Sequence, residues 1–292
     1  MVGIFWMLTT GLFFVAVTAL VKWMGPGMPP AQSAFLRYLL GMIFLLPMIK
    51  DIRSATVTPR QWKLFGLRGF FHAFGVMLWF FAMTRIPIAE VTAMNYLAPV
   101  YVTIGAAVFL GEKLALRRIM AVVIALLGAA IILRPGFREV HPGHLAMLIA
   151  AVVFAGSYLL AKVLADEVKP TVVVAMLSLF VTLALAPFAF ANWVSPSWSD
   201  LGILLAVAMF AQAGHYTMTL AFAAAPVTVT QPITFLQLVW ATLLGLLVFA
   251  EPVDIWVVIG GVVILASVTF ITWREATLKR TPITPPTNAT KV

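Results

Sequence analysis

Polar side chains recur at helical spacing inside the long apolar stretches of this sequence. One stripe runs at i, i+3, i+4 and i+7 and comprises Gln212, His215, Tyr216 and Thr219. A second stripe runs at i, i+4 and i+7 and comprises Thr230, Thr234 and Gln237, with Gln231 and Trp240 beside it. Polar groups in hydrocarbon are costly unless they meet a partner or water. Each stripe therefore predicts either contacts to a bound polar molecule or hydrogen bonds between neighbouring helices.

Further candidates lie in three other apolar stretches. One helical face, with spacing i, i+4, i+7 and i+11, carries Arg68, His72, Gly75 and Trp79. Asn95 and Tyr96 interrupt the next stretch, and Tyr158 lies deep in a later one. A His side chain titrates near neutral pH, so His72 and His215 could carry protons. A neutral His that bonds between helices is the alternative in both cases.

Charged residues near the ends of apolar stretches allow two interpretations each. Arg37 could bind a carboxylate through two guanidinium nitrogens, or it could extend its side chain to the lipid headgroups. Glu90, Glu112 and Glu251 are expected to be solvated helix ends. For Glu90, a cation or proton site is the alternative.

Several kinds of chemistry have no support in the sequence. There is no cysteine, which excludes disulfides, thiolate metal sites and cysteine nucleophiles. The sequence has neither a GxxxxGK phosphate loop nor an HExxH motif, and no cofactor or metal is expected. An intramembrane enzyme that uses His72, His215 and Glu90 stays open as an alternative, although no nucleophile is paired with a base. Gly128 and Gly260 are expected to be close-packing positions between helices.

The elements that must position these residues are apolar segments of membrane-spanning length. Of the 292 residues, 63% are hydrophobic and 10% are charged, which leaves too little charge for a water-facing surface. Ten apolar runs approach the ~20 residues of a bilayer-spanning helix. They are 3–22, 31–49, 64–83, 87–110, 117–134, 143–164, 170–191, 200–221, 226–249 and 254–273. We therefore predict an all-α integral membrane protein with ten transmembrane helices.

The net charge of +9 is distributed unequally between alternate loops. Thirteen lysines and arginines fall in the segments on one side, and four fall on the other. This bias is the positive-inside signature and predicts that both termini lie in the cytoplasm. A nucleic-acid partner is not needed to explain the charge. The first span lacks a basic leader and is expected to be retained, and the polar tail 274–292 is expected to be disordered.

The two halves of the sequence are weakly similar at a nearly constant offset of 139 or 140 positions. The matches include Pro87 with Pro226, Glu112 with Glu251, and 3–22 with 143–162. Because five spans per half is an odd number, the second half must enter the membrane from the opposite side. We predict two inverted five-helix repeats, residues 1–138 and 139–273, that meet near the bilayer midplane, where transporters bind their substrates.

A resemblance to a known family is carried by the segment VFLGEKLALRRIMAVVIALLGAAIILRPG and by its counterpart LLVFAEPVDIWVVIGGVVILASVTF. With the ten spans and the repeat, they resemble the drug/metabolite transporter superfamily, specifically its EamA branch. Ala250 stands where many members carry Gly. The resemblance covers residues 3–273 and implies an inner-membrane carrier that works by alternating access. Members move small organic solutes such as amino acids and their derivatives, riboflavin and S-adenosylmethionine.

The expected function is secondary transport of a small organic metabolite across the inner membrane, with the lipid bilayer as a partner and protons as a candidate coupling ion. A channel-like protein is an alternative, but rings of charge and filter motifs are missing. Aromatic residues make up 12% of the chain, and several lie beside the candidate stripes. They favour a flat ring such as riboflavin, or an aromatic amino acid. Substrate binding is predicted for His72, Trp79, Asn95, Tyr96, Tyr158, Gln212, His215, Tyr216, Thr234 and Gln237. Both a monomer and a homodimer are compatible with the sequence.

Overall fold

The long apolar runs fold as helices, because a helix satisfies its backbone hydrogen bonds internally where water is absent. The computed structural model describes residues 2–110, 116–165, 167–225 and 230–279. Within these ranges the chain is helical without β-strands, apart from one isolated bridge between Pro135 and Arg138. Glu112 and residues 280–292 lie outside the described residues, whereas residues 274–279 continue the last helix.

The α-helices of the described ranges are labelled in chain order. They are α1 (Val2–Met24), α2 (Pro30–Gly41), α3 (Ile49–Ser54), α4 (Pro59–Met83), α5 (Ile88–Asn95), α6 (Ala98–Leu110), α7 (Leu116–Leu133), α8 (Pro142–Ala165), α9 (Pro170–Ala191), α10 (Trp198–Ala224), α11 (Phe235–Phe249) and α12 (Ile255–Lys279). Short 3-10 helices lie at Gly25–Gly27, Met42–Met48 and Gln231–Thr234.

Eight helical segments are long and apolar enough to cross a membrane. They are Val2–Gly27, Pro59–Met83, Ile88–Phe109, Leu116–Leu133, Pro142–Ala161, Thr171–Ala191, Trp198–Met218 and Ile255–Arg274. The prediction of an all-helical membrane protein is confirmed. Eight of the ten expected spans are therefore found as helical segments of sufficient length, although Ile88–Phe109 is interrupted between α5 and α6. The second and the ninth differ.

The second expected span is divided by a 3-10 segment, and in the ninth a 3-10 segment directly precedes the α-helix. In the run 31–49, α2 gives way at Met42–Met48 to a 3-10 helix that contains Pro47. Proline has no amide hydrogen and clashes with the preceding turn, so it does not continue an α-helix easily. In the run 226–249, α11 has 15 residues and follows the 3-10 helix Gln231–Thr234. Neither run therefore forms one α-helix of spanning length.

Two long helices begin with the same N-terminal signal. Before α4, the Thr58 hydroxyl accepts from the Gln61 N–H at 3.3 Å, and Gln61 Oε1 accepts from the Thr58 N–H at 2.9 Å. Before α10, Ser197 and Asp200 exchange the same pair of bonds. Such capping boxes satisfy amide groups that the first helical turn leaves unbonded. The two boxes lie 139 positions apart, at the offset of the sequence similarity.

Helices from the first half of the chain pack mainly on helices from the second half. α1 packs on α10, and α4 packs on α8. α2 packs on α9, and α7 packs on α12. At the offset of the sequence similarity, α1 corresponds to α8, α4 to α10, α2 to α9, and α7 to α12. The contacts therefore map onto one another when the two halves are exchanged.

Glycines allow the close crossing of α7 and α12. A Cβ atom added to Gly260 would lie 2.5 Å from the carbonyl oxygen of Gly128 and 2.6 Å from Cγ1 of Ile132. A Cβ atom added to Gly128 would lie 2.9 Å from the carbonyl oxygen of Gly260. The expectation that these two glycines are close-packing positions is confirmed.

Candidate functional site

A cavity of about 280 Å³ lies between helices of both halves of the chain. It is bounded by α1, α2, α4, α5, α8, α10 and α11, mostly by residues near the middle of these helices. The lining residues are Phe14, Val17, Thr18, Arg37, Tyr38, His72, Val76, Trp79, Phe80, Thr92, Asn95, Tyr96, Phe154, Tyr158, Ala211, His215, Met218 and Gln237. Transporters built from two inverted repeats bind their substrates between the repeats. This cavity likewise lies between the two halves of the chain.

A helix break brings Asn95 and Tyr96 to the cavity wall. Pro99 has no amide hydrogen, so it cannot bond to the carbonyl of Asn95 four residues earlier. The amides of Tyr96 and Leu97 bond three residues back rather than four, to the carbonyls of Ala93 and Met94, at 3.3 and 3.0 Å. α5 therefore ends at Asn95, and the side chains of Asn95 and Tyr96 line the cavity.

His72 is held in the cavity wall by two hydrogen bonds. Its Nε2 lies 2.9 Å from the hydroxyl of Tyr38, and its Nδ1 lies 3.2 Å from the hydroxyl of Ser157. These bonds fix the orientation of the ring, and either tautomer can form them because each hydroxyl can donate or accept. His72 thus lines the cavity and also bridges α2, α4 and α8.

Aromatic rings cover much of the cavity wall. Phe154 and Tyr158 are stacked, with ring centroids 6.1 Å apart and planes 13° from parallel. The His72 ring lies edge-on to Phe154 at 5.1 Å, and Phe14 lies edge-on to His215 at 5.2 Å. Further rings in the lining are Tyr38, Trp79, Phe80 and Tyr96. Such a wall suits stacking against a planar ligand.

Three polar side chains in the lining have unused hydrogen-bonding capacity. Arg37, Asn95 and Gln237 make no hydrogen bond to another residue within the described ranges. The guanidinium of Arg37 lies over the Tyr38 ring, with Cζ 4.3 Å from the ring centroid. Two carboxamides and a guanidinium supply both donors and acceptors. The cavity can therefore bind the polar edge of a ligand whose flat face stacks on the rings.

Seven of the ten residues predicted to bind substrate line this cavity. They are His72, Trp79, Asn95, Tyr96, Tyr158, His215 and Gln237. Gln212, Tyr216 and Thr234 lie outside the lining, although the backbone carbonyl of Thr234 contacts Tyr96. Tyr216 is 63% exposed.

The predicted stripe on α10 is divided by the geometry of the helix. The residues of α10 that face the cavity are Ala211, His215 and Met218, spaced i, i+4 and i+7. Gln212 and Tyr216 each lie one position later, which turns a side chain by about 100° around a helix. Of the predicted α10 residues, His215 therefore faces the cavity while Gln212 and Tyr216 do not.

Sequence reasoning missed several cavity residues that are apolar or aromatic. Phe14, Tyr38, Phe80 and Phe154 line the cavity but stand in ordinary apolar sequence. Tyr38 is the exception, because it directly follows the polar candidate Arg37 in the second apolar run and could have been considered with it.

Ion pairs join several helix ends at one end of the bundle. Lys22 Nζ lies 2.6 Å from Glu251 Oε1 and donates to the carbonyl of Ile86 at 2.8 Å. Glu251 Oε2 accepts from the amide of Ile88 at 2.9 Å. The Lys22 and Glu251 side chains are 17% and 13% exposed. The expectation that Glu251 is a solvated helix end is therefore wrong, because its partners come from distant parts of the sequence.

A left-handed residue directs Glu251 into this cluster. Ala250 has φ 53°, and the amide of Glu251 then bonds back to the carbonyl of Gly245 at 2.9 Å, which ends α11. Glycine adopts this conformation without the steric penalty of a Cβ atom.

A second set of ion pairs continues the cluster. Arg138 donates to both carboxylate oxygens of Glu90, at 2.9 and 3.0 Å, and His144 Nε2 contacts the same carboxylate. The hydrogen bond with Glu90 raises the pKa of Arg138 above its ordinary value. Beside them, Arg134 pairs with Asp254. Glu90 is 3% exposed, so the expectation of a solvated helix end is wrong for this residue as well.

Comparison with known proteins gives two kinds of match. The EamA-like transporter family matches residues 1–134 and, separately, residues 141–273. A crystal structure with 19% sequence identity superposes with a TM-score of 0.63, covers 95% of this chain and 98% of that chain, and supports the fold.

Named relatives cover nearly the whole chain. A riboflavin transporter of Vibrio cholerae serotype O1 is 30% identical over 287 residues, which is 95% of each chain. A riboflavin transporter of Rhizobium johnstonii is 29% identical, with 96% of this chain and 94% of the relative covered. An S-adenosylmethionine uptake transporter of Rickettsia prowazekii is 26% identical, with 94% and 93% covered.

Proposed function

The chain belongs to the EamA-like transporter family, and from that premise we propose that it is a secondary transporter of a flat, ring-bearing metabolite of the riboflavin type. The substrate binds in the aromatic cavity and crosses the membrane by alternating access. Eight apolar helices and transporter relatives make the chain a multi-pass membrane protein. A transporter role leaves no reason to assign enzyme activity.

The aromatic cavity is the observation that carries this proposal. Its volume of about 280 Å³ lies near the lower end of pockets that hold small organic molecules. Rings such as Trp79 and the stacked pair Phe154 and Tyr158 suit a planar heterocycle. Asn95 and Gln237 suit its polar edge. We propose that the seven predicted residues in the lining contact the substrate, and that Gln212, Tyr216 and Thr234 do not.

The proposed topology has ten membrane crossings arranged as two inverted repeats, residues 1–138 and 139–273. The separate family matches to the two halves, the capping boxes 139 positions apart and the exchangeable packing of the halves support this arrangement. The runs 31–49 and 226–249, each of which contains a 3-10 segment, then cross as discontinuous helices, which transporters use beside their binding sites. The charge bias of the loops supports placing both termini in the cytoplasm, and the inner membrane is the location that we propose for this carrier.

Alternating access requires that each end of the cavity close in turn. We propose that the ion pairs of Lys22 with Glu251 and of Arg138 with Glu90 close the end that faces away from the cytoplasm. They join the end of α1 to the α4–α5 and α11–α12 turns. Proton coupling through His72 or His215 stays a prediction.

Transport into liposomes tests the proposal directly. Purified protein should give saturable uptake of riboflavin, and Trp79→Ala should reduce it about fivefold or more, since aromatic stacking contributes ~1 kcal/mol. Trp23→Ala is the matched control, because Trp23 is 71% exposed and lies outside the cavity lining. Uptake of riboflavin and related heterocycles at the level of empty liposomes would contradict the proposal.

A further inference from the structure

The charges around the cavity are of one sign. Arg37 lines the cavity, and none of its lining residues in the described part of the chain is acidic. The described acidic side chains that form ion pairs, among them Glu90, Glu167 and Glu251, lie at the ends of the bundle. A guanidinium stays protonated in proteins. The cavity wall therefore carries a positive charge with no neighbouring carboxylate to neutralise it.

Arg37 is placed to contact a ligand. Its side chain is half-buried and packs on the ring of Tyr38, whose hydroxyl is held in turn by His72. Stacking on an aromatic face orients the planar guanidinium. The five N–H groups of a guanidinium form a rigid fork, and those of Arg37 meet no hydrogen-bond acceptor among the residues described. They are available to a ligand that presents oxygen atoms.

A second guanidinium reinforces the positive charge. Arg68 lies one helical turn before His72 on α4 and is 7% exposed. One of its terminal nitrogens donates to the carbonyl of Val173 at 2.9 Å, while its buried Nε has no partner within the described ranges. The interior of the bundle has a low dielectric constant, so an unneutralised charge acts strongly over several ångströms there. Arg68 therefore adds to the barrier against a cation without having to touch it.

We infer that Arg37 sets the charge selectivity of the cavity: it binds a carbonyl-rich or anionic edge of the substrate and excludes cationic ligands. The inference rests on the proposed function and narrows its substrate class to uncharged or anionic planar heterocycles. Riboflavin fits this class, because its ring carries two carbonyl oxygens and no positive charge. S-adenosylmethionine does not fit, because its sulfonium group would face the guanidinium.

Competition between these two ligands tests the inference. The full-length protein in liposomes is measured for binding and uptake of riboflavin and of S-adenosylmethionine. The wild-type protein should prefer riboflavin at least about 100-fold, because like-charge contact in a desolvated site is worth several kcal/mol. Comparable affinity for the two ligands would overturn the inference.

Variants of Arg37 provide a second test of the inference. Arg37→Gln should weaken riboflavin binding by about 10- to 100-fold, the range for a charge-assisted hydrogen bond, and should reduce the preference over S-adenosylmethionine. Arg37→Lys keeps the charge but not the fork, so it should keep the preference while affinity falls. Arg53→Gln, an exposed arginine on α3, should match the wild type. If Arg37→Gln unfolds, Arg37→Lys and the wild-type competition still decide the matter.

The outcomes separate the inference from the proposed function. Wild-type riboflavin uptake together with unchanged affinity and selectivity in Arg37→Gln would overturn the inference alone. Absence of uptake of every planar heterocycle by the wild type would overturn the proposed function, and the inference with it.

Discussion

The phenolic hydroxyl of Tyr96 donates a hydrogen bond to the backbone carbonyl of Thr234 at 3.1 Å. Tyr96 follows the end of α5, and Thr234 precedes the start of α11, so each marks the helix break of its half. Asn95 and Thr234 are also 139 positions apart. The two breaks therefore meet beside the cavity, and a movement of one half against the other must break this bond or move both breaks together.

Removal of this hydroxyl should loosen the contact between the two breaks. Tyr96→Phe keeps the ring in the lining and loses one hydrogen bond, which contributes ~1 kcal/mol. We expect a lower midpoint of thermal unfolding in detergent, with riboflavin affinity retained within about fivefold, the change that ~1 kcal/mol allows. Tyr101→Phe, outside the cavity lining, is the matched control. Equal unfolding midpoints for the two variants would show that the bond contributes nothing.

The ion pair of Lys22 and Glu251 should keep its end of the bundle closed. Glu251→Gln leaves the Lys22 ammonium 17% exposed without a carboxylate, and an unsatisfied buried charge costs about 2 kcal/mol. The chain has no cysteine, so Thr18→Cys in the cavity lining gives a single labelling site. A maleimide that cannot cross the membrane should label it several-fold faster from outside when Glu251→Gln is present.

The double variant controls this measurement. Lys22→Met together with Glu251→Gln removes both charges, so the stability should recover while the end stays open. Labelling that is unaffected by either change would mean that the ion pair does not close the cavity.

The ion pair at the opposite end should make stability depend on pH. Arg60 donates to both oxygens of Glu167, at 2.7 and 2.9 Å, and Gln61 donates at 3.1 Å. The hydrogen bond from Arg60, followed by that from Gln61, lowers the pKa of Glu167. A lowered folded pKa means that the stabilisation is complete above the ordinary glutamate value of ~4.3 and is lost as the pH falls through the lowered value.

Glu167→Gln should therefore remove part of the acid sensitivity. The wild type should unfold at a slightly higher temperature than the variant at pH 7, and the difference should shrink as the pH falls below the ordinary glutamate pKa. The effect is small, because the Arg60 and Glu167 side chains are 62% and 32% exposed and solvent screens such pairs. A difference that grew as the pH fell would contradict the sign of this pKa shift.

Replacement of Ala250 by glycine should stabilise the protein. Ala250 has φ 53°, and a left-handed conformation costs a residue with a Cβ atom about 1 kcal/mol relative to glycine. Ala250→Gly should raise the unfolding midpoint in detergent and leave riboflavin uptake unchanged. Ala206→Gly, in the interior of α10, should lower the midpoint by a similar free energy. Destabilisation by both changes would rule out strain at Ala250.

The apolar runs allowed the helical membrane class and most spans to be predicted, because length and hydrophobicity alone decide them. The 3-10 segments at Met42–Met48 and Gln231–Thr234 were missed. Each 3-10 segment contains a proline, Pro47 or Pro232, but proline alone does not decide the outcome, because Pro187 lies inside the continuous helix α9.

Polar residues of the cavity, such as His72 and Asn95, could be predicted because a polar group in hydrocarbon is costly unless it meets a partner or water. Phe14 and Phe154 could not, because an aromatic ring in the cavity has the same sequence signature as one in the core or in lipid. Glu90 and Glu251 were misjudged because an acidic residue near a helix end is usually solvated. Their partners, Arg138 and Lys22, become neighbours only in the folded chain.

α1 packs on α10, and α4 packs on α8. The helices of one half therefore bury their inner faces mainly against helices of the other half. Residues 1–138 made alone would leave uncovered the faces of α1, α2, α4 and α7 that pack on helices of the second half. The first half is therefore expected to fold stably only when residues 139–273 are supplied with it.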